Sequence, residues 1–176
     1  ERNRTTLNTS SDGGGIWCYQ GNPQLTRVRV LGNVAAGRGG GYAGYSSSPT
    51  LAECLYAGNS AADGAGHRNY EGSPVFHRCL FQANLASGNG AGFYTYTGAP
   101  VLTSSILVGN QAVKDGGGIY SYKAGLTLAN CNLVGNAAAG GGGMRQATTG
   151  TAPAVLTNCI VYGNTGGQIQ GAPTVN

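Results

Sequence analysis

The 176-residue sequence predicts an all-β fold, a parallel β-helix (solenoid) of about six to seven turns, with 25–26 residues and three short strands per turn. Three observations lead to this prediction: an asparagine that recurs at almost constant intervals, apolar positions at fixed distances before it, and a glycine cluster after it. One repeat of this length cannot bury its own apolar face, so consecutive repeats must stack and bring equivalent residues into columns. We expect residues 1–176 to form a single domain, a mature form or a fragment of a longer chain, because no linker interrupts the repeat.

The recurring asparagine defines the period. Its successive copies are separated by 25, 26, 25, 26, 26 and 28 residues, and they are Asn8, Asn33, Asn59, Asn84, Asn110, Asn136 and Asn164. Stacked amides can hydrogen-bond from one turn to the next and so satisfy polar groups at a buried corner. Because every turn has one, we predict a structural asparagine ladder rather than a ligand-binding residue.

Apolar columns precede the asparagine. The position eight residues before it holds Leu25, Leu51, Phe76, Leu102, Leu128 and Leu156, and the position three before it holds Val30, Tyr56, Phe81, Leu107, Leu133 and Val161. A polar column lies between them, six residues before the asparagine, and comprises Arg27, Glu53, Arg78, Ser104, Asn130 and Asn158. A further column, of small residues, stands five residues before the asparagine and three after the leucine column. In a continuous strand, residues an odd number apart point to opposite faces, so the leucine and small-residue columns cannot both point inward from one strand. A bend must therefore separate two short strands.

The small-residue column contains four of the five cysteines: Cys54, Cys79, Cys131 and Cys159. Other turns place Val28 and Ser105 there, as expected for a small buried slot. Stacked strands lie about 4.8 Å apart with side chains pointing the same way, whereas a disulfide needs Cβ atoms that converge. We predict free, buried thiols; bridges Cys54–Cys79 or Cys131–Cys159 are the alternative.

A glycine cluster follows each of the first six asparagines and leads into the third strand. Glycine permits positive φ and close backbone approach at such a turn. The third strand then begins with an apolar column that we expect to face inward, namely Ile16, Tyr42, His67, Phe93, Ile119 and Met144.

Composition argues against several classes of function. Charged residues make up 9% of the chain and the formal net charge is +4, which lacks the dense basic stripe of nucleic-acid-binding proteins. No apolar run is long enough to span a bilayer as a helix. We therefore expect no nucleic-acid partner, no transmembrane segment and no cofactor.

The repeat resembles that of a known group of proteins. Phe81-Gln82-Ala83-Asn84 and Leu133-Val134-Gly135-Asn136, paired with the Gly-Gly-Gly-Ile element at 116–119, resemble the repeats of polymorphic outer-membrane proteins. More broadly, the chain is similar to the right-handed parallel β-helix superfamily, which also contains pectate lyases. The resemblance implies a right-handed coil and an extracellular or cell-surface setting, typically bacterial.

Candidate metal-binding residues are sparse. Asp12 and Asp63 each stand four residues after their asparagines, with Gly37 at the equivalent place between them. Two turns of about 4.8 Å would then separate the two carboxylates, too far for both to hold one calcium ion. Asp115 stands one place later in its own turn. We expect no metal site.

The two histidines do not form a recognisable acid/base set. His67 occupies a column of apolar residues, so we expect a partly buried core residue, and His77 lies on a strand. Glu53 and Arg78 share the polar column on adjacent turns and should form an exposed ion pair worth at most about 1 kcal/mol. We expect no catalytic residue.

Two aromatic columns on the third strand form the candidate binding surface. One holds Tyr19, Tyr45, Tyr70, Tyr96 and Tyr122, and the other holds Trp17, Tyr94 and Tyr120. If Ile16 and its equivalents face inward, alternation turns both columns outward as a flat ribbon of rings. Arg68 and Arg145 substitute in the Trp17 column, which indicates an exterior position. Such a surface favours binding of a sugar chain or a protein; the alternative is that the tyrosines only stack on one another and shield the sheet.

These observations lead to two hypotheses of function. The first is a non-enzymatic extracellular or cell-surface structural or adhesive module, whose partners are further copies of itself, assembled end to end or laterally, or other surface proteins. The second is a carbohydrate-binding or polysaccharide-degrading module that uses the tyrosine face or the sparse Asp, Arg and His residues, with a polysaccharide as partner.

Overall fold

The computed structural model describes residues 12–147 and 153–176, which form a right-handed parallel β-solenoid of about six turns. The predicted fold class is confirmed. Asn8, the first member of the asparagine column, lies outside the described residues. Within them, no helix is long and apolar enough to cross a membrane.

The strands form four parallel sheets, which we name by their residues. The tyrosine sheet comprises Ile16–Tyr19, Tyr42–Tyr45, His67–Tyr70, Phe93–Gly98, Ile119–Ala124, Met144–Gln146 and Ile169–Gln170. The leucine sheet comprises Gln24–Thr26, Thr50–Ala52, Val75–His77, Val101–Thr103, Thr127–Ala129, Val155–Thr157 and Thr174–Val175. The aliphatic sheet comprises Arg29–Leu31, Leu55–Ala57, Leu80–Gln82, Ile106–Val108, Asn132–Val134 and Ile160–Tyr162. The short sheet, which was not predicted, comprises Ser60–Ala61, Leu85–Ala86 and Gln111–Ala112.

Equivalent residues lie directly over one another, as the period predicted. In the leucine sheet Leu51 pairs with Phe76, and Leu102 pairs with Leu128. The inward columns of three sheets meet in one core, whose fully buried members include Tyr42, Phe93, Ile119, Leu51, Phe76, Leu102, Tyr56, Phe81 and Leu107. Burying each such side chain stabilises the coil by about 1.5–3 kcal/mol, so the stacking of turns supplies the core that a single turn lacks.

The predicted bend between the leucine and aliphatic sheets is made by one residue per turn. This residue has a left-handed backbone with φ between 50° and 56° in all six turns, at Arg27, Glu53, Arg78, Ser104, Asn130 and Asn158. The left-handed residue resets the alternation, so the leucine column two residues before it and the small-residue column directly after it both face inward. The side chain of Glu53 lies between two arginines, 3.5 Å from Arg27 and 3.9 Å from Arg78, which confirms the predicted surface pair and adds a second one.

The asparagine ladder is confirmed. Asn84 accepts hydrogen bonds at Oδ1 from the backbone N–H and the side-chain Nδ2 of Asn59, both at 3.0 Å. Its own Nδ2 donates to the carbonyl of Tyr56 at 3.0 Å and to Oδ1 of Asn110 at 2.8 Å. The buried amide therefore uses its acceptor and both donor hydrogens, and each turn is tied to the next.

The glycine cluster is required because the backbones of successive turns approach closely there. A Cβ atom on Gly66 would lie 2.5 Å from the carbonyl oxygen of Gly92, and one on Gly92 would lie 2.5 Å from that of Gly118. No side chain fits at such distances.

The five cysteines are free thiols, as predicted for the four of them that lie in the small-residue column. Cys54, Cys79 and Cys131 are buried, and Cys18 and Cys159 are partly buried. The bridges Cys54–Cys79 and Cys131–Cys159 are not present.

Candidate functional site

The outer face of the tyrosine sheet carries all eight residues of the predicted binding surface. Strand alternation turns them away from the core, and parallel pairing places Tyr45 beside Tyr70 and Tyr94 beside Tyr120. Trp17 and Tyr19 are the most exposed, at 55% and 57%, and the others are partly exposed. The predicted outward orientation of both aromatic columns is therefore confirmed.

The tyrosines form a ladder in which each ring packs against the next. The ring centroids are 4.8 Å apart for Tyr45 and Tyr70, 4.9 Å for Tyr70 and Tyr96, and 4.9 Å for Tyr96 and Tyr122. The rings of Tyr70 and Tyr96 turn their faces towards neighbouring rings. Ring edges and hydroxyl groups are therefore the parts left to contact solvent. The mutual stacking that we weighed as the alternative is therefore present in this part of the surface, because a strand spacing of about 4.8 Å brings identical side chains into stacking distance.

A second, shorter stack runs beside the ladder. The centroids of Tyr94 and Tyr120 are 5.2 Å apart, with the ring planes 16° from parallel. Burial, with the nearby Asp63 carboxylate, raises the pKa of Tyr94 to about 12, so its phenol is protonated at neutral pH. The two phenol rings therefore stack on each other on the outer side of the sheet.

The ladder gives way to a groove at the first turns. Tyr19 pairs in register with Tyr45, yet its ring packs beside Trp17, with centroids 6.0 Å apart and planes 5° from parallel. The next residue in the Trp17 column is Ala43, whose small side chain leaves space above the sheet. A groove of about 880 Å³ lies at these turns and is lined by Asp12, Trp17, Tyr19, Ala36, Gly37, Arg38, Tyr45, Ala62 and Asp63.

Arg68 forms the inner end of this region, and its position corrects a prediction. Its column is exterior to the coil, as expected, but the residue is only 3% exposed. From the turn after Ala43 the side chain extends back towards the first turn, where Nη1 lies 3.7 Å from Oδ2 of Asp12. The guanidinium carbon lies 4.9 Å from the ring centroid of Tyr45 and 5.2 Å from that of Tyr70. The gap at Ala43 and the attraction of a cation to aromatic rings account for a buried arginine outside the core.

One wall of the groove is formed by Asp12, Arg38 and Asp63, which belong to a column of charged and polar residues that sequence spacing had misaligned. The order along the coil is Asp12, Arg38, Asp63, Asn89 and Asp115, each directly before a glycine cluster. We expected Gly37 between the first two aspartates and Asp115 outside their column. Both expectations are wrong, because the segment between asparagine and glycine cluster is one residue longer in some turns, and the structure aligns the glycines.

The aspartates of this wall are held by backbone amides of the following turn. Oδ1 of Asp12 accepts a hydrogen bond from the N–H of Arg38 at 2.8 Å, and Oδ1 of Asp63 accepts one from the N–H of Asn89 at 2.8 Å. Asn89 in turn accepts one from the N–H of Asp115 at 3.2 Å. These contacts fix the carboxylates along the groove. Across residues 12–147 and 153–176, no three His, Cys, Asp or Glu side chains are close enough together to hold a metal ion.

The two histidines lie in different surroundings and do not share a site. His67 is buried in the core, where its ring stacks on Tyr42 with centroids 4.3 Å apart and burial lowers its pKa to about 3. It is the core residue that was predicted, although wholly rather than partly buried. His77 lies exposed on the leucine sheet, with Nδ1 2.9 Å from Oγ1 of Thr103.

The sequence analysis overlooked a second surface, the outer face of the aliphatic sheet. Residues four before each asparagine point outward there, and from the second turn they are Leu55, Leu80, Ile106, Asn132 and Ile160. Ile106 is 41% exposed, Ile160 59% and Tyr162 at the end of the same face 73%. The sequence contained a signal for this surface, because the outward position is aliphatic in four of these five turns.

Comparison with known proteins adds one finding. A family model described as "Right handed beta helix region" matches residues 2–165. No curated protein and no solved structure matched the chain.

Proposed function

We propose that this chain, which belongs to the right-handed β-helix family, is a non-enzymatic structural and adhesive module of the extracellular space or cell surface, and that the groove of its first turns binds a glycan. The expected setting is the surface of a bacterium, from the resemblance to outer-membrane protein repeats. The groove at Trp17, Tyr19 and Tyr45 is the observation that carries the adhesive part of the proposal.

The chemistry of the groove suits a sugar chain. Trp17 and Tyr19 expose apolar ring surface, on which the apolar face of a sugar can pack. Asp12, Arg38 and Asp63 line the same groove and offer acceptors and donors for hydroxyl groups. Both aspartates are anchored to the backbone of the next turn, so the ligand meets a pre-organised surface.

A glycan array followed by titration calorimetry tests the proposal. The wild-type chain should bind one class of glycan, and Trp17→Ala and Tyr19→Ala should each weaken that binding by about 10-fold, since one exposed ring contact contributes about 1–1.5 kcal/mol. Both rings are more than half exposed, so their loss should leave folding intact. Tyr162→Ala, which removes an aromatic ring that is 73% exposed on another sheet, is the matched control. Absence of binding to any glycan, or equal loss in the control, would overturn the proposal.

The non-enzymatic part is supported by how the candidate catalytic groups are used. The imidazole of His67 is enclosed in the core, and Asp12 and Asp63 accept backbone hydrogen bonds. We expect no release of reducing or unsaturated sugar ends when bound glycans are incubated with the protein. Release that depends on Asp63 or Arg68 would show a polysaccharide-degrading enzyme instead.

Lateral self-association is a second candidate, favoured by the outer face of the aliphatic sheet. This row of outward aliphatic side chains, of which Ile106 and Ile160 are exposed, offers a regular surface on which another sheet can pack. Sedimentation and light scattering at rising concentration should show association that Ile106→Lys abolishes. Val113→Lys changes a residue that is 65% exposed outside this sheet and should have no effect. A particle that stays monomeric at every concentration would exclude this role.

A further inference from the structure

The tyrosine ladder keeps its phenol groups within reach of a dissolved oxidant. Tyr70, Tyr96 and Tyr122 are each partly exposed on the outer face of the tyrosine sheet. Neighbouring rings cover their faces, with centroids 4.9 Å apart and planes 17° and 21° from parallel. The ring edge and the hydroxyl group, where an oxidised phenol reacts, therefore lie towards solvent.

The parallel register places equivalent atoms of these rings side by side. Thr95 pairs with Asn69 on one side and with Ser121 on the other, so Tyr96 stands over Tyr70 and under Tyr122. The Cβ–Cγ torsion of a tyrosine is soft, so two neighbouring rings can turn from face to face to edge to edge. Across a strand spacing of about 4.8 Å, the ortho carbons that project from the two rings then lie closer together than the ring centroids. A bond between these carbons would join two consecutive turns.

Charge singles out Tyr96 as the ring that loses an electron first. The guanidinium carbon of Arg68 lies 5.2 Å from the ring centroid of Tyr70, and Nζ of Lys123 lies 5.3 Å from that of Tyr122. A nearby cation opposes the removal of an electron from a ring. No arginine or lysine of the described residues lies over the ring of Tyr96. Tyr96 also has a stacked neighbour on both sides, so a reaction partner is at hand in either direction.

The adjacent stack of Tyr94 and Tyr120 is less suited to the same reaction. Burial raises the pKa of Tyr94 to about 12, and the phenol must give up its proton to form a neutral radical. Arg68 lies against this ring as well, with its guanidinium carbon 6.0 Å from the centroid. The ladder should therefore react before the shorter stack.

We infer that Tyr96 is a site of oxidative cross-linking, where a dityrosine bond to Tyr70 or Tyr122 fastens consecutive turns of the coil. The cysteines provide no such tie, because all five are free thiols. The inference is independent of the proposed function, since it does not require that the groove holds a glycan.

The reaction needs a one-electron oxidant, such as the haem of a peroxidase that has reacted with hydrogen peroxide. The oxidant removes one electron and one proton from each of two phenols. The two radicals form one bond between their ortho carbons, and the hydrogen on each bonded carbon moves to the oxygen and restores the hydroxyl group. Two electrons and two protons leave the pair in total, and they reduce one hydrogen peroxide to two molecules of water.

Oxidation of the dilute, folded protein by light-activated tris(bipyridine)ruthenium and persulfate tests the inference. This oxidant is small and diffuses freely, and sedimentation identifies a dilution at which the protein is monomeric. We expect blue dityrosine fluorescence in the monomer and a mass lower by two hydrogen atoms for each bond. The cross-linked monomer should also unfold at a higher urea concentration, because the bond restricts the unfolded chain.

Peptide mapping locates the bond. After reduction of any disulfides, trypsin separates the three rings into peptides 69–78, 79–114 and 115–123. We expect peptide 79–114 to be joined to 69–78 or to 115–123. The same oxidation in concentrated urea should lose this preference, because the turns are then no longer stacked.

Variants assign the bond to Tyr96. Tyr96→Phe keeps a ring in the stack but removes the hydroxyl group, so the link between peptides 69–78 and 79–114 should disappear. Tyr162→Phe is the matched control, because it removes a phenol that is 73% exposed and has no ring neighbour in the described part of the chain. This control should leave the links of peptide 79–114 unchanged.

Three results would overturn the inference. The first is a folded monomer without dityrosine, or with dityrosine only between molecules. The second is the same pattern of links in urea as in the folded protein, and the third is a link to peptide 69–78 that survives in Tyr96→Phe. If Tyr96→Phe does not fold, the comparison of folded and urea-treated wild-type chain still decides the matter.

Discussion

Replacement of His67 by phenylalanine tests whether the core is packed as described. His67 lies in the inward column of the tyrosine sheet, paired with Tyr42 on one side and Phe93 on the other. Its side chain is buried, and Nδ1 has no hydrogen-bond partner within the described part of the chain. Because the column accepts Phe93 one turn later, a phenyl ring should fit at position 67. At neutral pH, removal of the unpartnered nitrogen should raise the free energy of unfolding by about 1–2 kcal/mol.

The pH dependence gives the larger and more specific effect. Burial lowers the pKa of His67 to about 3, whereas the unfolded chain titrates near 6.5. Between these values the unfolded state binds one more proton than the folded state, so the free energy of unfolding falls as the pH falls. The slope approaches about 1.4 kcal/mol per pH unit, and the loss between pH 8 and pH 4.5 is about 2.7 kcal/mol. His67→Phe has no proton to bind and should lack this loss.

Urea denaturation of the wild-type chain and His67→Phe at pH 8 and pH 4.5 measures this difference. The six acidic residues of the chain are common to both proteins, so their contribution cancels in the comparison. His77→Gln removes the exposed histidine instead and should retain the wild-type loss. Parallel stability profiles of the wild-type chain and His67→Phe across this range would refute a buried neutral imidazole.

Three further predictions concern the coil itself. Asn84→Ala removes four buried hydrogen bonds of 2.8–3.0 Å and should lower the free energy of unfolding by about 3–6 kcal/mol in urea denaturation; a loss below about 1 kcal/mol would contradict the ladder. Ala83→Gly should raise the melting temperature, with a gain of about 0.5–1 kcal/mol, because Ala83 has a φ of 50° where other turns have glycine, as at Gly109 with 63°. A thiol reagent should modify Cys159 before Cys131 in the folded protein, since the neighbouring Cys131 thiol lowers the pKa of the partly exposed Cys159 while Cys131 itself is buried; mass spectrometry of the labelled peptides gives the order.

The period and its columns were predictable because each rests on spacing along the chain. Leu51 over Phe76, the bend beside Glu53 and the outward tyrosines all follow from a 25–26-residue repeat combined with strand alternation. The position of Arg38 between two aspartates was not predictable in this way. A turn can lengthen by one residue between asparagine and glycine, and only the stacked backbones show which residues then align.

The outward orientation of the aromatic residues was predicted, but the shape of the surface that they form was not. Alternation correctly turned Tyr45, Tyr70 and Tyr96 outward, yet it contains no information on whether rings stack or leave a face free. Contacts between turns decide that, and they also bury Arg68 where the sequence indicated an exposed residue.

By itself, the sequence determined the solenoid, the asparagine ladder and the face on which each side chain lies, because these depend on local periodicity repeated in every turn. Only the tertiary structure decided where the tyrosine ladder gives way to a groove and which charges meet there. Those features arise where one turn differs from its neighbours, as at Ala43, and a side chain from a later turn fills the space.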